Sequence, residues 1–122
     1  MISKEHRFHG PVSLRYVYRS GRTVHGPLFS VKTVLNNHRS TYRAAVVISR
    51  KVHKSAVARN RMRRRLYEAI RQLEDDIAGP YDIVLTVFQG SVLEATKESL
   101  SVQLKSQLTA AGVLAKRVNR QA

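Results

Sequence analysis

Between Met62 and Ile77 the apolar residues Met62, Leu66, Ala69, Ile70, Leu73 and Ile77 recur at three- and four-residue steps. That spacing suits an α-helix with one stripe turned to a core and excludes a strand of this length. The stretch leading into it, KVHKSAVARNRMRRRLYEAIR from Lys51 to Arg71, is dense in arginine. Ser55 is placed to cap the helix, its hydroxyl accepting from a free amide of the first turn. At about 100° per residue, Arg61 and Arg65 fall one turn apart on one flank, and Asn60, Arg64 and Arg71 lie nearly opposite the stripe. Arg63 takes the other flank. Arg59 lies close to the stripe itself, so it must emerge beyond the core or find an anionic partner.

Positive charge at the positive end of a helix dipole is unfavourable, and like charges one turn apart add to the cost. A polyanion would offset it, because helix N-terminal amides and guanidinium forks both bind phosphate. The blander reading, a solvated basic face, is disfavoured by how the charge is distributed. Residues 1–67 hold 16 Lys/Arg against one acid, whereas residues 68–122 hold 6 against 7, so the whole net excess of +14 lies in the first half. Solubility needs no such asymmetry, but an electrostatic footprint for nucleic acid does.

The 122 residues make one domain, 1–122, with an extended arm at 1–9 and a basic tail at 113–122. Gly10-Pro11 opens a short helix that Gly21 closes as a C′ residue, with Leu14, Val17 and Tyr18 sharing a face and Arg15 and Arg19 turned outward. A short strand is expected near Thr23 to His25. From Leu28 the residues alternate, with Phe29, Val31, Thr33 and Leu35 on one face and Leu28, Ser30, Lys32 and Val34 on the other. Asn36 to Ser40 reads as a hairpin loop and Tyr42 to Ser49 as its returning strand, an antiparallel pair able to keep one face open to a ligand. The long helix should end before Gly79-Pro80. Asp82 to Phe88 is a strand buried on both faces and, lying beyond a helix, a parallel neighbour of the strand before it. Ser91-Val92-Leu93-Glu94 reads as a capping box, and Leu93, Leu100, Leu104, Leu108 and Ala111 form the stripe of a last helix that Gly112 stops.

Catalytic groups are scarce. Glu74, Asp75 and Asp76 crowd one helix end, and Glu94 and Glu98 lie a turn apart on another, the pattern of solvated faces. The histidines His6, His9, His25, His38 and His53 show no ligand spacing beyond a weak His6-x-x-His9, and there is no phosphate loop or nucleophile elbow. Without cysteine the chain has no disulfide, zinc knuckle or thiol nucleophile, which fits a reducing cytoplasm. Neither a signal peptide nor a membrane span is expected.

Ala56-Val57-x-Arg59-Asn60-Arg61-x-Arg63-Arg64, preceded by Ser49-Arg50-Lys51, resembles the signature of the bacterial ribonuclease P protein subunit, and the likeness extends more loosely over about residues 7–110. The resemblance implies an α+β fold, an αβββαβα two-layer sandwich with a four-stranded sheet and a left-handed βαβ crossover. It also implies that the RNA subunit, with magnesium bound mainly by that RNA, removes the 5′ leader of precursor tRNA, while the protein assists, one protein to one RNA. Carried over by position, Arg59, Asn60, Arg61, Arg63 and Arg64 would meet the catalytic RNA, with Arg50, Lys51, Lys54 and Arg65 extending that surface. Tyr18, Phe29 and Lys32 would line a leader cleft between the sheet and the terminal helix. Leu14 stands where relatives often have an aromatic and Lys32 where some carry a tyrosine, which shifts that cleft from stacking toward charge. Asn60 could bond a base, hold a hydrated magnesium through its carbonyl oxygen, or bond back to the helix backbone.

Three other readings compete. A basic ribosomal-type RNA-binding protein without a processing role fits the composition, and only the motif separates it. A basic-region DNA reader would need heptads beyond Ile77. An autonomous ribonuclease would need converging carboxylates.

Overall fold

The computed structural model describes residues 6, 11–37 and 40–114, with side chains of 11–14 left aside. Its elements are α1 (Pro11–Ser20), β1 (Arg22–Val24), β2 (Phe29–Leu35), β3 (Arg43–Ile48), α2 (Ala56–Leu73), β4 (Tyr81–Val87) and α3 (Lys97–Ala110). Short 3-10 turns at Glu74–Asp76 and Gly90–Leu93 precede β4 and α3. The expected element order holds.

The four strands form one mixed sheet in the order β1-β2-β4-β3. β4 runs antiparallel to β2 and parallel to β3, as its position after a helix predicted. The expected β2–β3 hairpin does not form, because β4 lies between the two strands. The physical reason lies in β4 itself: Ile83, Val84, Leu85 and Val87 are all buried, and a strand apolar on both faces belongs in the middle of a sheet.

Alternation assigns each strand residue to one of two unequal faces. Phe29 and Val31 of β2, Ala44, Val46 and Ile48 of β3, and Ile83, Leu85 and Val87 of β4 pack against α2 and α3 in the main core. Met62, Leu66, Ala69, Ile70 and Leu73 supply the α2 side of it, and Leu100, Leu104 and Leu108 the α3 side. On the opposite face Val17 of α1 meets Ala45 and Val84, with Val34 and Val47 beside them. The expected two-layer sandwich is therefore the sheet with α2 and α3, and α1 adds a partial cover on the other side.

Some local expectations hold and others shift. Ser55 caps α2, its Oγ accepting from the Ala58 amide at 3.2 Å. The helix stops at Leu73, so Ile77 leaves the stripe and bridges to Leu114 instead. Ser91–Glu94 is no cap for α3: the helix begins at Lys97, with Thr96 as its cap accepting from the Ser99 amide. Gly112 stops α3 with φ 78°, the left-handed turn that glycine favours. Gly21 closes α1 for another reason, since a Cβ there would stand 2.5 Å from the Val17 carbonyl oxygen and 2.9 Å from Lys32 Cγ. Val113 is fully buried and Leu114 is bridged, so the first two residues of the expected tail belong to the fold, and residues 115–122 lie outside the described ones. Of the expected arm only His6 is described; it stacks on Tyr42 at 4.1 Å, and its Nδ1 lies 3.0 Å from the Tyr42 carbonyl oxygen.

Candidate nucleic-acid interface

The first turns of α2 carry no acidic residue, so nothing within those turns balances their charge. The fold divides the arginines into two groups. Arg59, close to the apolar stripe as the wheel placed it, donates from Nη1 to the carbonyls of His53 (2.7 Å) and Lys54 (2.9 Å). It meets backbone oxygens rather than an anionic side chain, and so closes the loop between β3 and α2. Arg65 reaches across to the segment before α3, donating to the carbonyls of Val92 (2.6 Å), Leu93 (2.7 Å) and Ala95. Arg63 donates to the Asn60 side-chain oxygen at 2.7 Å. Asn60 thus bonds forward to a side chain, not back to the helix.

The side chains of Arg61 and Arg64 are exposed and make no hydrogen bond to another described residue, and the same is true of the side chains of Arg50, Lys51 and Lys54 in the preceding loop. These five cations run from the loop before the capped start of α2 along the first half of the helix. Helix dipole and side chains act in the same sense there, and the arrangement suits phosphate. Val57 stands among them with 69% of its surface exposed, a residue the sequence reading quoted in the motif but gave no role.

The three residues expected to line a leader cleft do not share one face. Tyr18 is 42% exposed, and Lys32 Nζ lies 5.8 Å from its ring centroid, within cation–π range. Both belong to the side of the sheet that α1 only partly covers, where Ser30 pairs with Thr86 and Val47 stands beside Thr86, all half-buried. Phe29 is a correction. It is fully buried against α2 and α3, on the opposite face from Lys32, and presents no ring to a ligand. The period of two along β2 requires this, because residues three apart point to opposite faces.

One pair in this region escaped the sequence reading. Asp82, buried at the start of β4, accepts from Arg43 Nε and Nη2, both at 3.0 Å, and from Asn36 Nδ2 at 3.0 Å. A carboxylate in an otherwise apolar strand was the available signal, since such a group needs a partner from a neighbouring strand. Two further acids are engaged elsewhere. Glu74 accepts from the Tyr42 hydroxyl at 2.8 Å, and burial together with Glu74 pushes that hydroxyl's pKa well up. The Arg71 guanidinium holds the Glu68 carboxyl down at about 2. Among the described residues no three His, Asp or Glu converge as a metal site, and no helix is long and apolar enough to cross a membrane.

Comparison with known proteins agrees with this geometry. The family model described as Ribonuclease P matches residues 2–112. The ribonuclease P protein component of Synechococcus elongatus is 36% identical over 101 residues, covering 80% of this chain and 83% of its own. That of Chloroflexus aurantiacus is 36% identical over 109 residues, covering 89% and 76%. The solved RNase P protein of Staphylococcus aureus superposes with a TM-score of 0.78 at 23% identity, covering 89% of this chain and 97% of that one. The Thermotoga maritima protein gives 0.75 at 20%, covering 85% and 96%. These structural likenesses establish the shared α+β fold, and the sequence matches, which span the arginine helix, establish kinship: the chain belongs to the ribonuclease P protein family.

Proposed function

We propose that this chain is the protein subunit of ribonuclease P, binding the catalytic RNA through the start of α2 and the 5′ leader of precursor tRNA across the α1 side of the sheet. The observation that carries the reading is the group of cations whose side chains have no partner among the described residues, Arg50, Lys51 and Lys54 in the loop before α2 and Arg61 and Arg64 along its first half. Phosphates of the RNA subunit replace counterions there, while Tyr18 and Lys32 offer a ring face and a charge to a single strand. Arg59, Arg63 and Arg65 shape this surface through the bonds they already make.

Cleavage belongs to the RNA, and magnesium bound by that RNA supplies the metal chemistry. Asn60 does not suit a magnesium ligand in this arrangement: its side-chain oxygen already accepts from the Arg63 guanidinium, and Arg61 and Arg64 close by would repel a second cation. In this reading the protein screens the charge of two RNA molecules and positions the leader, one protein per RNA, in the cytoplasm.

The test is cleavage of a precursor tRNA at low magnesium by a bacterial ribonuclease P RNA, with and without the protein, beside the protein alone. Efficient cutting at the mature 5′ end only by the combination supports the proposal. Binding of RNA with no effect on cleavage would favour a ribosomal-type RNA-binding role, and cutting by protein alone would make the chain a nuclease in its own right.

A further inference from the structure

A cavity of about 200 Å³ opens between α2 and the start of α3, away from the α1 side of the sheet. Ala69 and Leu100 make its apolar floor, Gln72 one wall, and Arg64 and Lys97 stand at its mouth from the two helices. Arg65 borders it as well, and its bonds to the Val92, Leu93 and Ala95 carbonyls tie the approach to α3 onto α2, so the cavity's walls are fixed in advance. Glu68 is also on the rim, with its carboxylate paired to Arg71.

Val57, Arg61, Arg64 and Glu68 fall within about 60° of arc, so one outer strip of α2 leads from the exposed valine past two guanidinium groups to the cavity. Phosphate binding alone needs no apolar hollow. A nucleotide with its base turned out of the stack needs both, a flat apolar face pressed on a floor and cations at the mouth for its backbone.

We infer that this α2–α3 cavity receives one unstacked nucleobase of the RNA subunit, with the adjoining phosphates on Arg64 and Lys97. The inference rests on the RNA-binding reading above and adds a second, base-reading contact to it. Gln72 supplies a donor and an acceptor for the base edge, and the floor supplies the apolar contact.

The experiment measures affinity for ribonuclease P RNA across a salt series, using the full chain and three variants, with thermal melts as the folding control. Ala69→Leu fills the floor, and Gln72→Trp covers the mouth from an exposed position where folding is not at stake. Each should weaken binding roughly tenfold without changing the salt slope, because no charge is lost. Lys97→Ala should reduce the slope by about one. Wild-type affinity in Gln72→Trp, or an unchanged slope in Lys97→Ala, overturns the inference while leaving the subunit assignment standing. If the unaltered protein binds this RNA no better than an unrelated RNA of equal length, the assignment fails and the pocket's occupant with it.

Discussion

The two faces of the sheet are made by the same strands, and in β2 by alternate residues of one seven-residue run. Phe29 and Val31 lie under α2 and α3 with no exposed surface, whereas Ser30, Lys32 and Val34 point to a side that a single ten-residue helix only partly covers. The first face has two helices over it and becomes core. The second keeps a lysine, a serine, a threonine and an accessible tyrosine within reach of solvent. Helix coverage, more than strand composition, decides which side of this sheet is available to a ligand.

The largest effect should come from exchanging roles across that divide. Phe29→Ala should cost about 3–5 kcal/mol in urea denaturation, while Lys32→Ala should stay within about 0.5 kcal/mol of the parent. Intact stability in Phe29→Ala together with weaker leader binding would mean that the faces are reversed. Next comes the buried charge on the open side. Asp82→Ala leaves the Arg43 guanidinium, only 16% exposed, without its carboxylate, and should lower stability by about 3 kcal/mol. A neutral result would show that solvent reaches this pair and that α1 covers even less than its contacts suggest.

Tyr18→Ala should leave the melting temperature almost unchanged but weaken binding of precursor tRNA to the reconstituted complex by about 1–2 kcal/mol, with no loss for tRNA lacking a leader. Equal loss for both substrates would move Tyr18 out of the leader's path. The smallest effect concerns Glu68, which lies on the α2 surface rather than on either sheet face. Its folded pKa, about 2, is below the unfolded value, so its contribution is complete above roughly pH 5 and disappears as pH falls through about 2. Melting temperatures of the parent and Glu68→Gln should therefore differ slightly at pH 7 and converge in acid. Divergence toward acid would reverse the sign.

Much of this fold is legible from local pattern. The α2 stripe, its Ser55 cap, the glycine stop of α3 and the parallel pairing of β3 with β4 all follow from periodicity and chain order. What local pattern misses is non-local. Tyr67 lies off the stripe yet is buried, because its hydroxyl accepts from the Val46 amide of β3, an edge strand. The expected β2–β3 hairpin fails because β4, the partner of both strands, arrives more than thirty residues after β3 ends. Ser91–Glu94 matches a capping pattern but forms a single 3-10 turn, and the helix waits for Thr96.

The candidate site divides in the same way. Charge density points to the proposed interface, but the partners of Arg65 lie 27 to 30 residues away in sequence, and no helical wheel can show them. Phe29 is the instructive error. Alternation had already set Phe29 and Lys32 on opposite faces, and family resemblance nevertheless grouped them in one cleft. Where the two disagreed, the strand period was the better guide.

The central claim is that the α2 arginines left unbonded by the fold are the ones that meet RNA, and the most direct test is the salt dependence of binding to ribonuclease P RNA. Arg61→Ala and Arg64→Ala should each reduce the slope of log affinity against log salt by about one, while Arg65→Ala should lower thermal stability and leave the slope as it was. Unchanged slopes in the first two, or a reduced slope in Arg65→Ala, would contradict the account and place the RNA surface elsewhere on the molecule.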